Sequence, residues 1–370
     1  MSLVVFPFKE EDPDVIAANL ATAADHERVD EVWAVAAAED AAMAAVTGVA
    51  AEIESNASVP VVVFAQDRLG TFRSGKGDGM NTAMAQAAER GFDRVHFYDA
   101  DITNFDAAWI DGSEASADRG HDVVRHRFPR AATDAMITWM VTRPGLAVLF
   151  PGTILPRLGQ PLGGELLLTR GVVEALASDP FVEARSDWGI DTVITHATAS
   201  LGVSIFEHNA PDGKRHALYG ALTDIEDMVL ECLDAVASLS GRQLPDPGPG
   251  FEADPPAPVP EDLKQTVAYD LESTRASISA QPGPEERDLL ESLDIDPSAP
   301  IEMSHERWRL LLPRLLARFQ LTEPAWRKVV FRLWVERVIH YTMNQVPAGY
   351  DAAMSYLEST ILDFELSSPL

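Results

Sequence analysis

Over the first 220 residues, short apolar runs alternate with amphipathic or alanine-rich stretches. LVVFPF (3–8) precedes DVIAANLATAADH (14–26), and EVWAVAA (31–37) precedes AAMAAVTGVAAEI (41–53). VPVVVFA (59–65) leads through a Gly-rich loop into MNTAMAQAAERG (80–91), and RVHFYDAD (94–101) follows. Apolar runs recur at ELLLT (165–169) and GVSIFEH (202–208), with a helix predicted over WGIDTVITHATAS (188–200). Strand-length runs separated by helical periodicity predict β–α units wound around a largely parallel sheet, an α/β fold.

Near residue 241 the pattern changes. GRQLPDPGPGFEADPPAPVPED (241–262) is rich in Pro and Gly and reads as a linker or extended strap. Beyond it RWRLLLPRLLARFQL (307–321), AWRKVVFRLWVERVIHYTMNQ (325–345) and YDAAMSYLESTIL (350–362) carry apolar residues at i, i+3, i+4 spacing. These stripes predict packed helices, with Pro313 starting or kinking its own. The division expected is a catalytic α/β segment over 1–240, a linker over 241–263 and a helical domain over 264–370.

Composition narrows the function classes. The 370 residues hold 58 Asp and Glu against 29 Lys and Arg, a formal net charge of −29. Such a field repels nucleic acid and anionic lipid. Acid-rich, Lys-poor composition resembles that of halophilic proteins in concentrated intracellular salt, and equally that of acidic proteins from GC-rich genomes. A single cysteine, Cys232, forms no internal disulfide and suits a reducing compartment. With no 18-residue apolar run and no basic leader, the expectation is a cytoplasmic protein with no membrane or nucleic-acid partner.

The candidate chemistry begins at GTFRSGKGDGMN (70–81). G-x-x-x-x-G-K matches a P-loop until its eighth position, where Gly77 replaces the hydroxyl that would hold Mg²⁺. The loop still lets backbone approach a ligand, and Lys76 offers a point charge for phosphate. Asp99 and Asp101 stand at i and i+2 after an apolar strand, the place where α/β proteins bind ligands. Their oxygens suit a Mg²⁺ or Mn²⁺ ion that bridges a diphosphate. Alternation of β and α elements, a Gly/Lys loop and a strand-terminal DXD motif describe a GT-A type glycosyltransferase. A sugar-1-phosphate nucleotidyltransferase is the competing reading. Further on, Arg125, His126, Arg127 and Arg130 form a basic cluster in an acidic chain, for which anion binding and surface ion pairing stay open. Asp187 reads as a helix cap, Asp191 as a base, and His216 as either a ligand or an ordinary histidine.

RLGTFRSGKGDGMNTA, HFYDADIT, FPRAATDAMITWM, QPLGGELL, RSDWGIDT and GKRHALYG together resemble the mannosylglycerate synthases, and the similarity continues into FRLWVERVIHYTM. The resemblance implies a retaining, metal-dependent GT-A enzyme that moves mannose from GDP-mannose to the 2-hydroxyl of D-glycerate, with lactate as a further acceptor. The product, mannosylglycerate, is a compatible solute. It implies a donor site of Pro7, Phe8, Lys9, Glu11, Val35, Gln66 and Lys76, with Asp99, Ala100, Leu162 and Tyr219. Asp101 and His216 would hold the divalent metal, Mg²⁺ or Mn²⁺ and in some cases Ca²⁺. Arg130 would pair with the acceptor carboxylate beside Ala135, Met136, Ile137 and Thr138. Catalytic roles fall to Asp191, Arg130 and Lys76, with no nucleophile assigned. Ala217 stands where the family pattern has Arg, and transfer from GDP-glucose to give glucosylglycerate is the alternative. A homo-oligomer formed through the C-terminal helices is expected.

Overall fold

The computed structural model describes residues 1–216, 222–246, 248–278 and 280–367. Eight strands form one sheet: β1 (Ser2–Pro7), β2 (Glu31–Ala36), β3 (Val61–Ala65), β4 (Arg94–Phe97), β5 (Val123–Arg127), β6 (Leu166–Thr169), β7 (Ile205–Asn209) and β8 (Phe251–Ala253), ordered β3-β2-β1-β4-β6-β5-β7-β8. β6 pairs antiparallel with both β4 and β5, and every other pairing is parallel. All strands but β6 therefore run in one direction. β1 and β2 are buried along their whole length, which is why they read as unbroken apolar runs rather than as alternation.

Four helices link the first five strands: α1 (Pro13–Ala24), α2 (Met43–Glu54), α3 (Lys76–Arg90) and α4 (Ala107–Asp118). Asp12 caps α1 by accepting from the Asp14 N–H, and Asp106 caps α4 through the Ala108 N–H. α1 buries Ile16, Leu20 and Ala23 at helical spacing. α3 ends on Gly91 at φ 73°, the left-handed conformation that closes a helix most readily with glycine. The chain leaves β1 toward β2 and β3, then returns to place β4 on the other side of β1. The crevice at the carboxyl ends of β1 and β4 is thus a topological switch point, the usual ligand position in an open α/β sheet.

Contacts divide the chain into two compact units. The first holds the sheet and comprises Met1–Pro129, Leu162–Ala217 and Leu244–Pro258. The second comprises Arg130–Pro161, Leu218–Gln243 and Val259–Leu370. The division differs from one expected near residue 240, because 130–161 packs with the C-terminal helices. Trp308 donates to the Met140 carbonyl at 2.7 Å, Tyr341 to that of Ala132 at 2.8 Å, and buried Arg143 pairs with Glu358 at 2.8 Å. Helix Pro324–Asn344 buries Trp326, Val330, Leu333, Trp334 and Val338 and keeps Lys328, Arg332, Glu336 and His340 along one less buried stripe. Pro313 lies within helix His305–Arg318 rather than at its start.

Two strands were not legible as strands. β5 carries Arg125, His126 and Arg127 and so lacks an apolar signature, and β8 sits inside the Pro-rich 241–262 stretch, where it extends the sheet beside β7.

Candidate active site

The Gly-rich loop opens α3: Gly75 is its N-cap and Lys76 its first residue. Its glycines serve the chain's own packing. A Cβ on Gly77 would run into the backbone of Arg185 and Ser186, and one on Gly70 into Ser186 and the Ala184 carbonyl. The loop is stitched to 184–186 by Thr71 N–H to Ala184 O at 2.9 Å and Asp78 N–H to Ser186 O at 3.2 Å. Asp78, fully buried, accepts from Arg68 and from the Leu69 and Gly70 amides. The incomplete P-loop is therefore not a Walker loop. It is a rigid seat that delivers Lys76 to the end of the sheet.

Lys76 Nζ lies 2.6 Å from Asp99 Oδ1 and 3.0 Å from Asp191 Oδ2. Asp99 follows β4, and Asp191 stands in the first turn of helix Ile190–Ser200. Lys214 Nζ reaches the second oxygen of Asp99 and Glu165 Oε1, both at 2.5 Å. A Cβ on Gly164 would collide with Lys76 Nζ and lie 2.5 Å from Asp99 Oδ1, so a side chain there would displace the charged ends of the cluster. Two ammoniums and three carboxylates thus share one buried cluster.

Burial alone would raise the Asp99 pKa, but the charges of Lys214 and Lys76 hold it well below the usual carboxylate range. Glu165 goes the other way: burial and the neighbouring Asp99 push it up to about 7. Asp191 is also raised, by burial and by Asp99, against the opposing pull of Lys76. Burial disfavours the Lys76 ammonium, yet Asp191, Asp99 and Glu165 keep it protonated far beyond its ordinary range. Asp191 Oδ1 is buried and has no hydrogen-bond partner. Strand-end acids displaced in opposite directions within one cleft are the electrostatic mark of a functional site.

The other residues expected at the donor site gather nearby. Pro7 ends β1 in register with Val35 of β2, and the Phe8 N–H donates to the Val35 carbonyl at 2.9 Å. Gln66 follows β3, and a Cβ on Gly79 in α3 would lie 3.1 Å from Gln66 Oε1 and 3.5 Å from Pro7 Cβ. Lys9 is exposed and its amide donates to Glu11. Burial pushes Glu11 up to about 8, with Asp101 and Asp99 adding to the rise. Buried Ala100 is fixed by Asn19, whose amide donates to its carbonyl at 3.2 Å, and Leu162 is half-buried. Tyr219, together with Ala217, lies outside the described residues.

Asp101 Oδ1 is buried and likewise has no hydrogen-bond partner among the described residues. Residues 213–215 are pinned beside it. The Thr103 N–H donates to Arg215 O at 2.8 Å, Asn104 Nδ2 to Gly213 O at 2.9 Å, and the Arg215 N–H to Asn104 Oδ1 at 2.8 Å. His216, next in the chain, is half-buried.

The basic cluster of 125–130 is split. Arg125 is buried in β5 and donates to Gly163 O at 3.1 Å, with Asp191, Glu207 and Glu165 acting on its charge. His126 points to the opposite face, where Ser113 Oγ is 2.7 Å from Nε2 and Tyr98 and Phe128 flank its ring. Arg130 belongs to the second unit, bonded to Asp134 at 2.9 Å and to Gln160 at 3.1 Å. Ala135 adopts φ 55°, costly for a residue with a Cβ, and Thr138 begins a π-helical turn through Thr142. Left-handed alanine and π-helix are both strained forms that recur at functional sites. Asp187 accepts from the Gly189 N–H at 2.9 Å and from Arg185 at 2.7 Å, a turn ahead of helix Ile190–Ser200, whose N-cap is Gly189 and not the Asp187 expected.

Sequence reasoning missed Glu165 and Lys214. The antiparallel register sets Phe97 opposite Leu166, which brings residue 165 alongside the segment that leads to Asp99. No local motif encodes that neighbour.

This sheet order, with acids at the strand ends, is that of a GT-A glycosyltransferase. Crystal structures of glucosyl-3-phosphoglycerate synthase from Mycobacterium tuberculosis share the fold. One in complex with Mn²⁺ and UDP-glucose superposes with a TM-score of 0.53 at 20% identity, covering 66% of this chain and 80% of that one. The family model of the mannosylglycerate synthase GT domain matches residues 2–238, and that of the mannosylglycerate synthase C-terminal domain residues 263–361. The chain is 44% identical to the mannosylglycerate synthase of Rhodothermus marinus, over 96% of its own length and 92% of the relative's. It is 41% identical to that of Selaginella moellendorffii, over 100% and 91%. The chain belongs to the mannosylglycerate synthase family and is a glycosyltransferase.

Proposed function

We propose that the protein transfers mannose from GDP-mannose to the 2-hydroxyl of D-glycerate with retention, making mannosylglycerate. The observation that carries the reading is Lys76, a buried ammonium gripped by Asp99 and Asp191 at the switch point of the sheet. A fixed cation there, surrounded by acids that exclude stray anions, suits the negative charge that grows on a nucleoside diphosphate leaving group. The nearly full-length identity to two mannosylglycerate synthases supports the product.

A divalent cation fits the same end of the sheet, because the buried, unpartnered Asp101 Oδ1 is a hard oxygen donor without another use. Asp101 and His216 would hold the metal, which would supply Lewis-acid neutralisation of the diphosphate. Mn²⁺ or Mg²⁺ accompanies UDP in the related glucosyl-3-phosphoglycerate synthase structures, which supports a divalent metal here and leaves its identity to experiment. Pro7, Phe8, Val35, Gln66 and Ala100 shape the donor site with backbone and packing surface. Lys9, Glu11, Leu162 and Tyr219 complete it. Asp191, held against Lys76, fixes the ammonium toward the transferred sugar.

Arg130 grips the acceptor carboxylate with its planar fork, a task a lysine cannot reproduce. Ala135, Met136, Ile137 and Thr138 line that acceptor site. Catalysis is cytoplasmic and involves neither membrane nor nucleic acid, in keeping with the net charge of −29. The catalytic segment is 1–240 and the helical segment 264–370, the latter forming a homo-oligomer.

The test is a matrix of GDP-mannose, GDP-glucose and UDP-glucose against D-glycerate, lactate, 3-phosphoglycerate and glycerol, with products weighed by mass and the anomer read by NMR. GDP-mannose with D-glycerate should be the best pair, active with Mg²⁺ or Mn²⁺ and silent in EDTA. A best rate with GDP-glucose moves the donor assignment to glucose. Absence of transfer to every hydroxy acid, with pyrophosphate released from nucleotide and sugar phosphate, overturns the assignment.

A further inference from the structure

The second unit buries a positive charge that the reaction does not use. Arg337, on helix Pro324–Asn344, is 1% exposed. Its Nη2 donates to the Tyr356 hydroxyl at 3.3 Å, while Nε and Nη1, both buried, have no hydrogen-bond partner. Among the described residues no carboxylate lies within 4.0 Å of it.

Among the described residues, the ionisable groups that act on the guanidinium are tyrosines and histidines. Tyr341 stands one turn along the same helix, Tyr356 comes from helix Tyr350–Ser367, and His305 and His340 feel the arginine as a like charge. The carboxylate of Asp363 is half-exposed and committed to His305 at 3.0 Å. The face of Tyr356, with its ring centroid 5.9 Å away, gives weak cation–π compensation. Arginine does not discharge by losing its proton, so a guanidinium in this position calls for a counter-charge.

We propose that Arg337 anchors a buried site for a small monovalent anion of the halide class. Burial to 1% excludes a carboxylate side chain from another molecule. A dianion would bring more charge beside the Tyr341 and Tyr356 rings than one guanidinium can balance. A halide is spherical and needs no directional donor set, so it can settle against either edge of the fork, beside the Tyr356 hydroxyl or at the Nη1 end. Tyr341, stacked on Tyr356 with centroids 6.0 Å apart, also holds the Ala132 carbonyl at 2.8 Å. The anion would therefore brace the segment that carries Arg130. This consequence rests on the proposed acceptor role of Arg130, whereas the anion site does not.

The full chain is melted in potassium chloride, potassium bromide and potassium gluconate at matched ionic strength. Using one cation and one ionic strength removes the general salt effect expected of so acidic a chain. Tm should be higher in chloride and bromide than in gluconate, with a difference that grows with concentration as ligand linkage requires. Arg337→Met should erase that difference and melt at least as high as the parent in gluconate. Crystals of the unaltered protein soaked in bromide should give an anomalous peak beside the Arg337 guanidinium, a readout that does not depend on the variant folding. Identical melting in all three salts, or a bromide-soaked crystal without a peak at Arg337, overturns the proposal. Activity with glycerate separates it from the transferase reading: a bromide peak in a protein that fails to transfer leaves the anion site standing.

Discussion

The first unit contains two buried ionic networks with opposite electrostatic characters. Behind the sheet, Glu114 in α4 accepts from Ser2 Oγ at 2.6 Å and His96 at 2.9 Å, and pairs with Arg28 at 3.1 Å and with Arg94. Both of its oxygens are satisfied. Burial would raise its pKa, but His96, Ser2 and Arg94 pull it down to about 2. At the strand ends, Glu165 is pushed up to about 7, Asp191 is raised, and Asp191 Oδ1 has no partner. A fully satisfied network stabilises and specifies a fold, whereas an under-compensated one keeps electrostatic capacity for a ligand. By that measure the back network is structural and the front one is chemical.

Breaking the back network should have the largest effect. Glu114→Gln leaves Arg94 and Arg28 with Asp118 as their remaining carboxylate and removes the charge that His96 and Ser2 bond, which should cost about 3 kcal/mol of stability by urea unfolding. The same variant checks the pH dependence. A folded-state pKa below the unfolded value of 4.5 means that Glu114 stabilises fully above that pH and loses its contribution as pH falls toward about 2. Acid unfolding should therefore be shallower in Glu114→Gln than in the parent, while mannosyl transfer per folded molecule stays unchanged. An unaltered acid limb would remove Glu114 from the account.

In the front network, Lys76→Met takes the ammonium from Asp191 and leaves Asp99 to share Lys214 with Glu165. Turnover should fall by about 100- to 1,000-fold, the scale for losing one preorganised group that stabilises developing negative charge. A loss of less than tenfold, measured with saturating donor, would mean that Lys76 merely organises the fold.

In the second unit, Arg130→Ala tests the acceptor side. Loss of one partner of a desolvated charge pair costs about 2 kcal/mol or more, so kcat/KM for glycerate should drop about 30-fold or more. GDP-mannose affinity by calorimetry should hardly change, and glycerol, which has no carboxylate, should lose little. A weakened donor affinity with an unchanged glycerate KM would move Arg130 to the donor site.

The contrast also explains what could be read from the chain. β1, β2 and β4 announced themselves because they are buried among apolar neighbours, and β3 because its half-buried VVVFA is an unbroken apolar run. Lys76, Asp99 and Asp101 were legible because local motifs carry them: a Gly-flanked lysine opening a helix, and two acids at i and i+2 ending a strand. Glu165 was not, because it joins Asp99 through the antiparallel insertion of β6 between β4 and β5, and neither was Lys214, which reaches Asp99 from the segment after β7. β5 was hidden for a related reason. Arg125 is buried in a strand whose charges are answered by residues distant in sequence, so its polarity reads as surface. The contact of 130–161 with the C-terminal helices includes bonds from Trp308, Tyr341 and Tyr350 to its carbonyls and the Arg143–Glu358 pair, which have no periodicity to detect.

The measurement that bears most directly on the contrast is urea unfolding of Asp191→Asn beside the parent at pH 7. An acid whose folded pKa is raised loses stability on ionising, so a neutral isostere should be no less stable. The account predicts an unfolding free energy equal to or above that of the parent, together with a fall in mannosyl transfer of about 100-fold or more. A loss of about 3–5 kcal/mol in stability with transfer retained would make Asp191 a structural ion-pair partner and contradict the functional reading of the front network.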